Sequence, residues 1–150
     1  MSQKGDADKK AFEDRLHQLL LQIYTEKVID YGTNRPNLGR MERPGAYAKV
    51  RGSCGDTVEI FLRIQQGKIV AATYETDGCL TSHAAAAAAA ELARGKTLKE
   101  CLLVTHQTIL ELLGGLPADS EHCAKLAAEA LHKAVRNYQI NPAASLYLSR

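Results

Sequence analysis

No stretch of this 150-residue chain approaches the roughly 18 consecutive apolar residues that cross a bilayer. Its first ten residues, Met1 to Lys10, lack the apolar core of a signal peptide. Both absences point to the cytoplasm and away from a membrane partner. A long basic run is also missing: 19 Lys and Arg stand against 17 Asp and Glu, so the formal charge of +2 comes from interspersed signs. A dedicated nucleic-acid binder needs a clustered basic face, and that class is set aside. The four cysteines form no Cys-x-x-Cys pair, the spacing of a zinc ribbon. In a reducing compartment they are metal ligands, reactive thiols or small hydrophobes rather than a disulfide framework. Neither a linker nor an internal repeat interrupts the chain, whose length suits one domain with a real core.

What is present reads as one α+β domain over residues 11–140, between a polar disordered tail at 1–10 and a short C-terminal tail at 141–150. From Ala11 a helical period puts Phe12, Leu16, Leu19, Leu20, Ile23 and Val28 on one side. One helix is expected here, covering a sheet and ending near Tyr31 with Gly32 at its C-terminal cap. Asn34 to Gly45 is a loop punctuated by prolines and glycines. Ala46 to Val50 is a short strand. Thr57 to Ile64 alternates, with Val58, Ile60, Leu62 and Ile64 opposite Glu59 and Arg63, and Ile69 to Thr76 returns after a turn at 65–68.

These segments predict a three-stranded antiparallel β-meander with a cluster of C-terminal helices packed on it. The first of those helices is capped by Thr81 or Ser82. It runs through the seven alanines Ala84–Ala90, where close packing admits only small side chains. A capping box, Thr97 to Glu100, opens a short one. Another spans Thr105 to Leu113, closed by Gly114 and Gly115, and the last is capped by Asp119 or Ser120. Its inward positions are Cys123, Leu126, Ala127, Ala130, Leu131, Ala134, Val135 and Tyr138. Cys101 reads as a buried small hydrophobe.

The remaining cysteines sit elsewhere. Cys54 lies in the glycine turn Gly52-Ser-Cys-Gly-Asp56, Cys79 follows the third strand, and Cys123 opens the last helix. Each marks an element boundary, where a side chain can reach a shared surface site. Two lie near helix N-termini, whose partial positive charge favours the thiolate, the form that binds metal. If the helices pack as one layer on the meander, the three boundaries can meet at one end. Asp56, two residues after Cys54, can join as a ligand or simply accept hydrogen bonds from turn amides.

Three of these segments, Gly52-Ser-Cys-Gly-Asp56, Thr76-Asp-Gly-Cys79 and Glu121-His-Cys-Ala-Lys-Leu-Ala127, resemble the ligand motifs of the NifU/IscU-type iron–sulfur cluster assembly scaffolds. Tyr24-Thr-Glu-Lys-Val-Ile-Asp30, the loop Asn34-Arg-Pro-Asn-Leu-Gly39 and Glu91-Leu-Ala-Arg-Gly-Lys-Thr-Leu98 are similar in order and place, so the likeness runs from Tyr24 to Tyr138. It implies a non-enzymatic scaffold on which an iron–sulfur cluster, most simply [2Fe-2S], is assembled and then passed to acceptor apo-proteins. A cysteine desulfurase would supply the sulfur. It also implies Cys54, Cys79 and Cys123 as ligands, Asp56 as a modulating or fourth ligand, and His122 as an alternative. The family's chaperone motif, Leu-Pro-Pro-Val-Lys, is reduced here to Leu116-Pro117 with Ala118 and Ser120 at two further places, which leaves chaperone recognition in doubt. His83 is an added imidazole, read as a solvated residue in a first helical turn, with a ligand role as the alternative.

Zinc competes for the same donors, as a structural ion or in a sulfur acceptor, because three thiolates with Asp56 or His122 would satisfy its tetrahedral preference. A thiol enzyme using Cys123 and His122 ranks lower, since neighbours on a helix point apart. A pure interaction module would not need the three cysteines.

Overall fold

The structure, a computed structural model, describes residues 3–140. Its elements follow in the order α1 (Gln3–Leu20), α2 (Glu26–Asn34), β1 (Ala46–Arg51), β2 (Thr57–Gln65), β3 (Lys68–Thr76), α3 (Leu80–Ala93), α4 (Leu98–Cys101), α5 (His106–Leu113) and α6 (Glu121–Ile140), with a 3-10 turn at Ala118–Ser120 before the last. The sheet is the antiparallel meander β1-β2-β3. Gln66 and Gly67, both at positive φ (52° and 75°), form the two-residue turn between β2 and β3, the geometry that matches the twist of a hairpin. The alternation read in β2 holds: Val58, Ile60 and Leu62 are buried in the core. Phe61, on the other face, is buried too, under the Tyr47 ring and the Arg40 guanidinium.

α3 is the central element. It packs on β3 and β2 and is flanked by α2, α5 and α6, and every residue from Thr81 to Ala90 is buried. A helix enclosed on all sides can be approached this closely only if its side chains are small, which accounts for the alanine run. Gly32, expected to end a helix, instead lies inside α2, where a β-carbon would come within 2.6 Å of Leu80 Cγ and 2.8 Å of its carbonyl. It is a contact glycine. The cap of α2 is Arg35, in the left-handed region at φ 53°.

The N-terminal expectation fails in three respects. The tail at 1–10 is helical from Gln3 onward, and the single helix to Tyr31 is two, parted at 21–25 where Thr25 caps α2 by accepting from Val28 N at 3.1 Å. α1 buries none of its residues and covers no sheet; Phe12 is 66% exposed. The sheet's inner face is covered by α3 and α6 instead. The expected tail at 141–150 lies outside the described residues. Among those described, no helix is long and apolar enough to cross a membrane.

The free edge of β3 is closed by loops. Gly39 N donates to Tyr74 O at 2.8 Å and Tyr74 N to Asn37 O at 3.0 Å, while Gly95 N donates to Ile69 O at 2.7 Å. Because α3 has no spare volume, Ala86→Leu is expected to destabilise the protein by about 1–3 kcal/mol through overpacking. Urea unfolding reads this as a lowered midpoint, and an unchanged midpoint would mean that α3 is not enclosed.

Candidate metal centre

Two of the three boundary cysteines, Cys79 and Cys123, lie at the N-terminal end of α3, and the turn that carries Cys54 touches it through Asp56. Cys79 is its N-cap residue, in extended conformation, and its side chain caps nothing. Thr81 and Ser82, expected as caps, lie within the first turn and are buried, and their hydroxyls turn to the site. Thr81 Oγ1 shares hydrogen bonds with Cys79 Sγ at 3.6 Å and with Cys123 Sγ at 3.5 Å, so one hydroxyl bridges two sulfurs that are far apart in sequence. Ser82 Oγ is 3.7 Å from Cys123 Sγ and donates to Asp56 Oδ2 at 3.3 Å. The result is a continuous polar chain, Cys79–Thr81–Cys123–Ser82–Asp56. Thr81 and Ser82 were missed as site residues in the sequence because hydroxyls after a strand and before an alanine run look like caps.

Cys54 lies on the facing turn, where it is exposed. Gly52 N donates to Asp56 O at 2.8 Å and Gly55 N to Gly52 O at 3.0 Å, and Gly55 takes φ 95°, a region side chains resist. Gly52 is a glycine for room: a β-carbon there would lie 3.1 Å from Leu126 Cδ2, one helical turn past Cys123 on α6. The Cys54 turn is laced to the Cys79 turn as well. Asp77 Oδ1 accepts from Thr57 N at 2.7 Å, Thr76 Oγ1 donates to Thr57 O at 2.6 Å, and Gly78 N donates to Thr76 Oγ1 at 3.2 Å. The turn amide at Thr57 is thus served by Asp77, whose carboxyl is lowered chiefly by that bond. Asp56 is left for Ser82.

Gly78 shows how tight the convergence is. A β-carbon there would stand 2.3 Å from Ser82 Oγ and 3.0 Å from Asp56 Oδ2, so any larger residue would displace the hydroxyl or the carboxylate.

Both histidines depart from expectation. His83 is buried rather than solvated, and its Nδ1 shares a hydrogen bond with the Tyr74 hydroxyl at 2.9 Å in the interior. Burial, and then the nearby Arg35, hold its pKa below the ordinary value, so it serves the α3–β3 packing and not the site. His122 Nε2 lies 3.7 Å from Cys123 Sγ, so these neighbours do meet, contrary to the sequence argument. Cys101 is fully buried, its thiol pushed up to about 11 by burial.

The donors are gathered but not closed. Among the described residues no three His, Cys, Asp or Glu side chains stand close enough to grip one metal ion. Cys79 and Cys123 form a pair across Thr81, Ser82 links Cys123 to Asp56, and Cys54 stands exposed on its glycine turn. The chemistry of the set suits a soft metal centre, with three thiols as strong donors and a carboxylate as a hard, weaker one. Cys79 is prepared for it: the Thr81 hydroxyl lowers its pKa against the opposing effect of burial, with help from the Thr81 and Ser82 amides.

Comparisons with known proteins identify the family and the fold. The sequence profile of the NifU-like N-terminal domain matches residues 23–145. The chain belongs to the NifU-like N-terminal domain family. Iron-sulfur cluster assembly scaffold protein IscU 1 of Archaeoglobus fulgidus is 36% identical over 117 residues, covering 77% of this chain and 76% of that one. The corresponding Aquifex aeolicus protein is 31% identical over 118 residues, with 77% and 75% covered. Nitrogen fixation protein NifU of Nostoc is 34% identical over 131 residues, which span 81% of this chain but only 44% of that longer protein. The crystal structure of a SUF-system scaffold protein from Fervidobacterium islandicum superposes with a TM-score of 0.61 at 23% identity, covering 76% of this chain and 97% of the other, and so shares the fold.

The hydroxyl between Cys79 and Cys123 gives a pH prediction. In the metal-free protein Cys79 should be alkylated with a midpoint below that of an ordinary thiol. Thr81→Val, which keeps the shape and removes the donor, should move that midpoint up. Mass spectrometry of the Cys79 peptide across pH reads it, and coincident profiles would overturn the assignment.

Proposed function

We propose that this protein is a scaffold on which an iron–sulfur cluster is built transiently and then handed to acceptor apo-proteins, with Cys54, Cys79 and Cys123 as the thiolate ligands. The observation that carries the reading is the Thr81 bridge, which brings Cys79 and Cys123 together from the end of the sheet and the start of α6. Membership of a family whose relatives carry the name of cluster assembly scaffolds supports the nature of the cargo.

Each part of the geometry has a place in that role. Thiolates hold iron and sulfide well, and hydroxyls at the sulfurs stabilise their charge. The fourth position falls to Asp56, a harder donor that exchanges more readily, with His122 beside Cys123 as the alternative. Three strong ligands and one weak one suit a [2Fe-2S] cargo that must form and still leave. An open donor set in the metal-free protein also suits this cargo, since Cys54 can close last and open first. The sulfur would come from a cysteine desulfurase in the cytoplasm, where the thiols stay reduced. Catalysis belongs to that partner.

Purification without oxygen, metal and sulfide analysis, and absorption spectra after adding iron and sulfide test the reading. Visible charge-transfer bands should develop in the parent and fail in Cys54→Ser, Cys79→Ser and Cys123→Ser. Stoichiometric zinc, with no bands once it is removed, would replace the scaffold by a zinc protein using the same ligands. Asp56→Ala should make the bound cluster longer-lived, by several-fold, in transfer to an acceptor. Transfer at the parent rate would remove Asp56 from the exchange step.

A further inference from the structure

Ser82 is the buried site residue whose bond to Asp56 the scaffold role leaves without a task. It sits in the first turn of α3, where a serine would ordinarily serve as a cap, but Cys79 holds that position. Its hydroxyl instead donates to Asp56 Oδ2 at 3.3 Å while lying 3.7 Å from Cys123 Sγ. Two further features protect this contact. Gly78 supplies the room, since a β-carbon there would fall 2.3 Å from Ser82 Oγ and 3.0 Å from Asp56 Oδ2. Asp77 satisfies the Thr57 amide, the backbone group that would otherwise compete for a carboxylate in this turn.

We propose that Ser82 is a positioning residue for Asp56, tying one carboxylate oxygen beside Cys123 so that the other is preset as a donor to an ion held by the thiolates. The inference rests on the reading of Asp56 as a ligand and deepens it. A hydroxyl carries one proton, and an ionised carboxylate is a stronger acceptor for it than a thiol. A donor fixed before binding gives up less side-chain freedom when the ion arrives. Groups that orient a metal ligand typically matter by about 10–100-fold in metal affinity, and the partly exposed turn that carries Asp56 places this pair at the lower end of that range.

Cobalt(II) alone is the probe, added to the metal-free protein without oxygen and measured by competition with a chelator. Ser82→Ala replaces a hydroxyl with a hydrogen in a helix already built of alanine, so the unfolding midpoint should stay near the parent's. Its cobalt affinity should fall by about tenfold, with thiolate-to-cobalt charge-transfer bands of parent intensity because the sulfurs still bind. Asp56→Ala should lose more. The double variant should bind no more weakly than Asp56→Ala alone, since Ser82 acts only through that carboxylate. Gly78→Ala, which wedges the pair apart, should reproduce the Ser82→Ala loss by a different route.

Two results would overturn the proposal while leaving Asp56 as a ligand: parent affinity in Ser82→Ala, or losses that multiply in the double variant. Parent affinity in Asp56→Ala would remove both Asp56 as a donor and Ser82 as its positioner. Cluster formation from iron and sulfide is not involved, so a failure of the scaffold reading itself shows in that separate reconstitution.

Discussion

Everything in this protein is arranged around the enclosure of α3. Between the sheet and α2, α5 and α6 there is space for a helix with methyl side chains and little more, and Ala84 to Ala90 fill it. Interiors are packed as densely as organic crystals, so a helix held on every side has little freedom to shift or rotate. Its first turn inherits that rigidity. Cys79, Thr81 and Ser82 are placed by the alanines behind them, and the buried Tyr74–His83 contact pins the same turn to β3. A candidate site whose residues come from three separate elements needs one fixed member against which the others are set, and α3 is that member.

The opposite wall is built by close approach. Gly52 lets the Cys54 turn lie against Leu126 of α6, and Gly78 lets the Cys79 turn admit both Ser82 and Asp56. Asp77 and Thr76 then stitch the two turns to each other through Thr57. The wall is held by a few hydrogen bonds at exposed or half-buried positions, each worth about 1 kcal/mol net, while α3 and α6 are held by burial. One side of the centre is therefore stiff and the other compliant. That division suits the proposed gathering and release of a cargo, because the compliant side can open without disturbing the core.

How much of this was legible in the sequence varied with the physics behind each signal. Strand alternation identified the β2 core correctly, because a half-buried strand has one apolar face and little else to be. The helical period from Phe12 to Val28 misled, because an apolar stripe shows what a face is made of and not whether anything covers it. α1 leaves that stripe exposed, and α2 buries Val28 and Ile29. Gly32 was read as a stop signal although its use is steric, and the two uses look the same without the neighbouring Leu80 in view. His83 was placed in water for the same reason: its partner, Tyr74, is on a strand.

By itself, the sequence determined the meander, the alanine helix, the helix starts at Thr97 and Thr105, and the candidacy of Cys54, Cys79 and Cys123. These follow from local periodicity, local hydrogen bonding and side-chain chemistry. Only the tertiary structure decided that Cys79 and Cys123 share the Thr81 hydroxyl, that Ser82 holds Asp56, that Asp77 serves the turn in its place, and that the donors stand open instead of closed. Those are distances between residues remote in the chain. They depend on how closely backbones approach, which is set by what Gly32, Gly52, Gly78 and the alanines lack, and a missing side chain leaves no pattern from which its neighbour can be read.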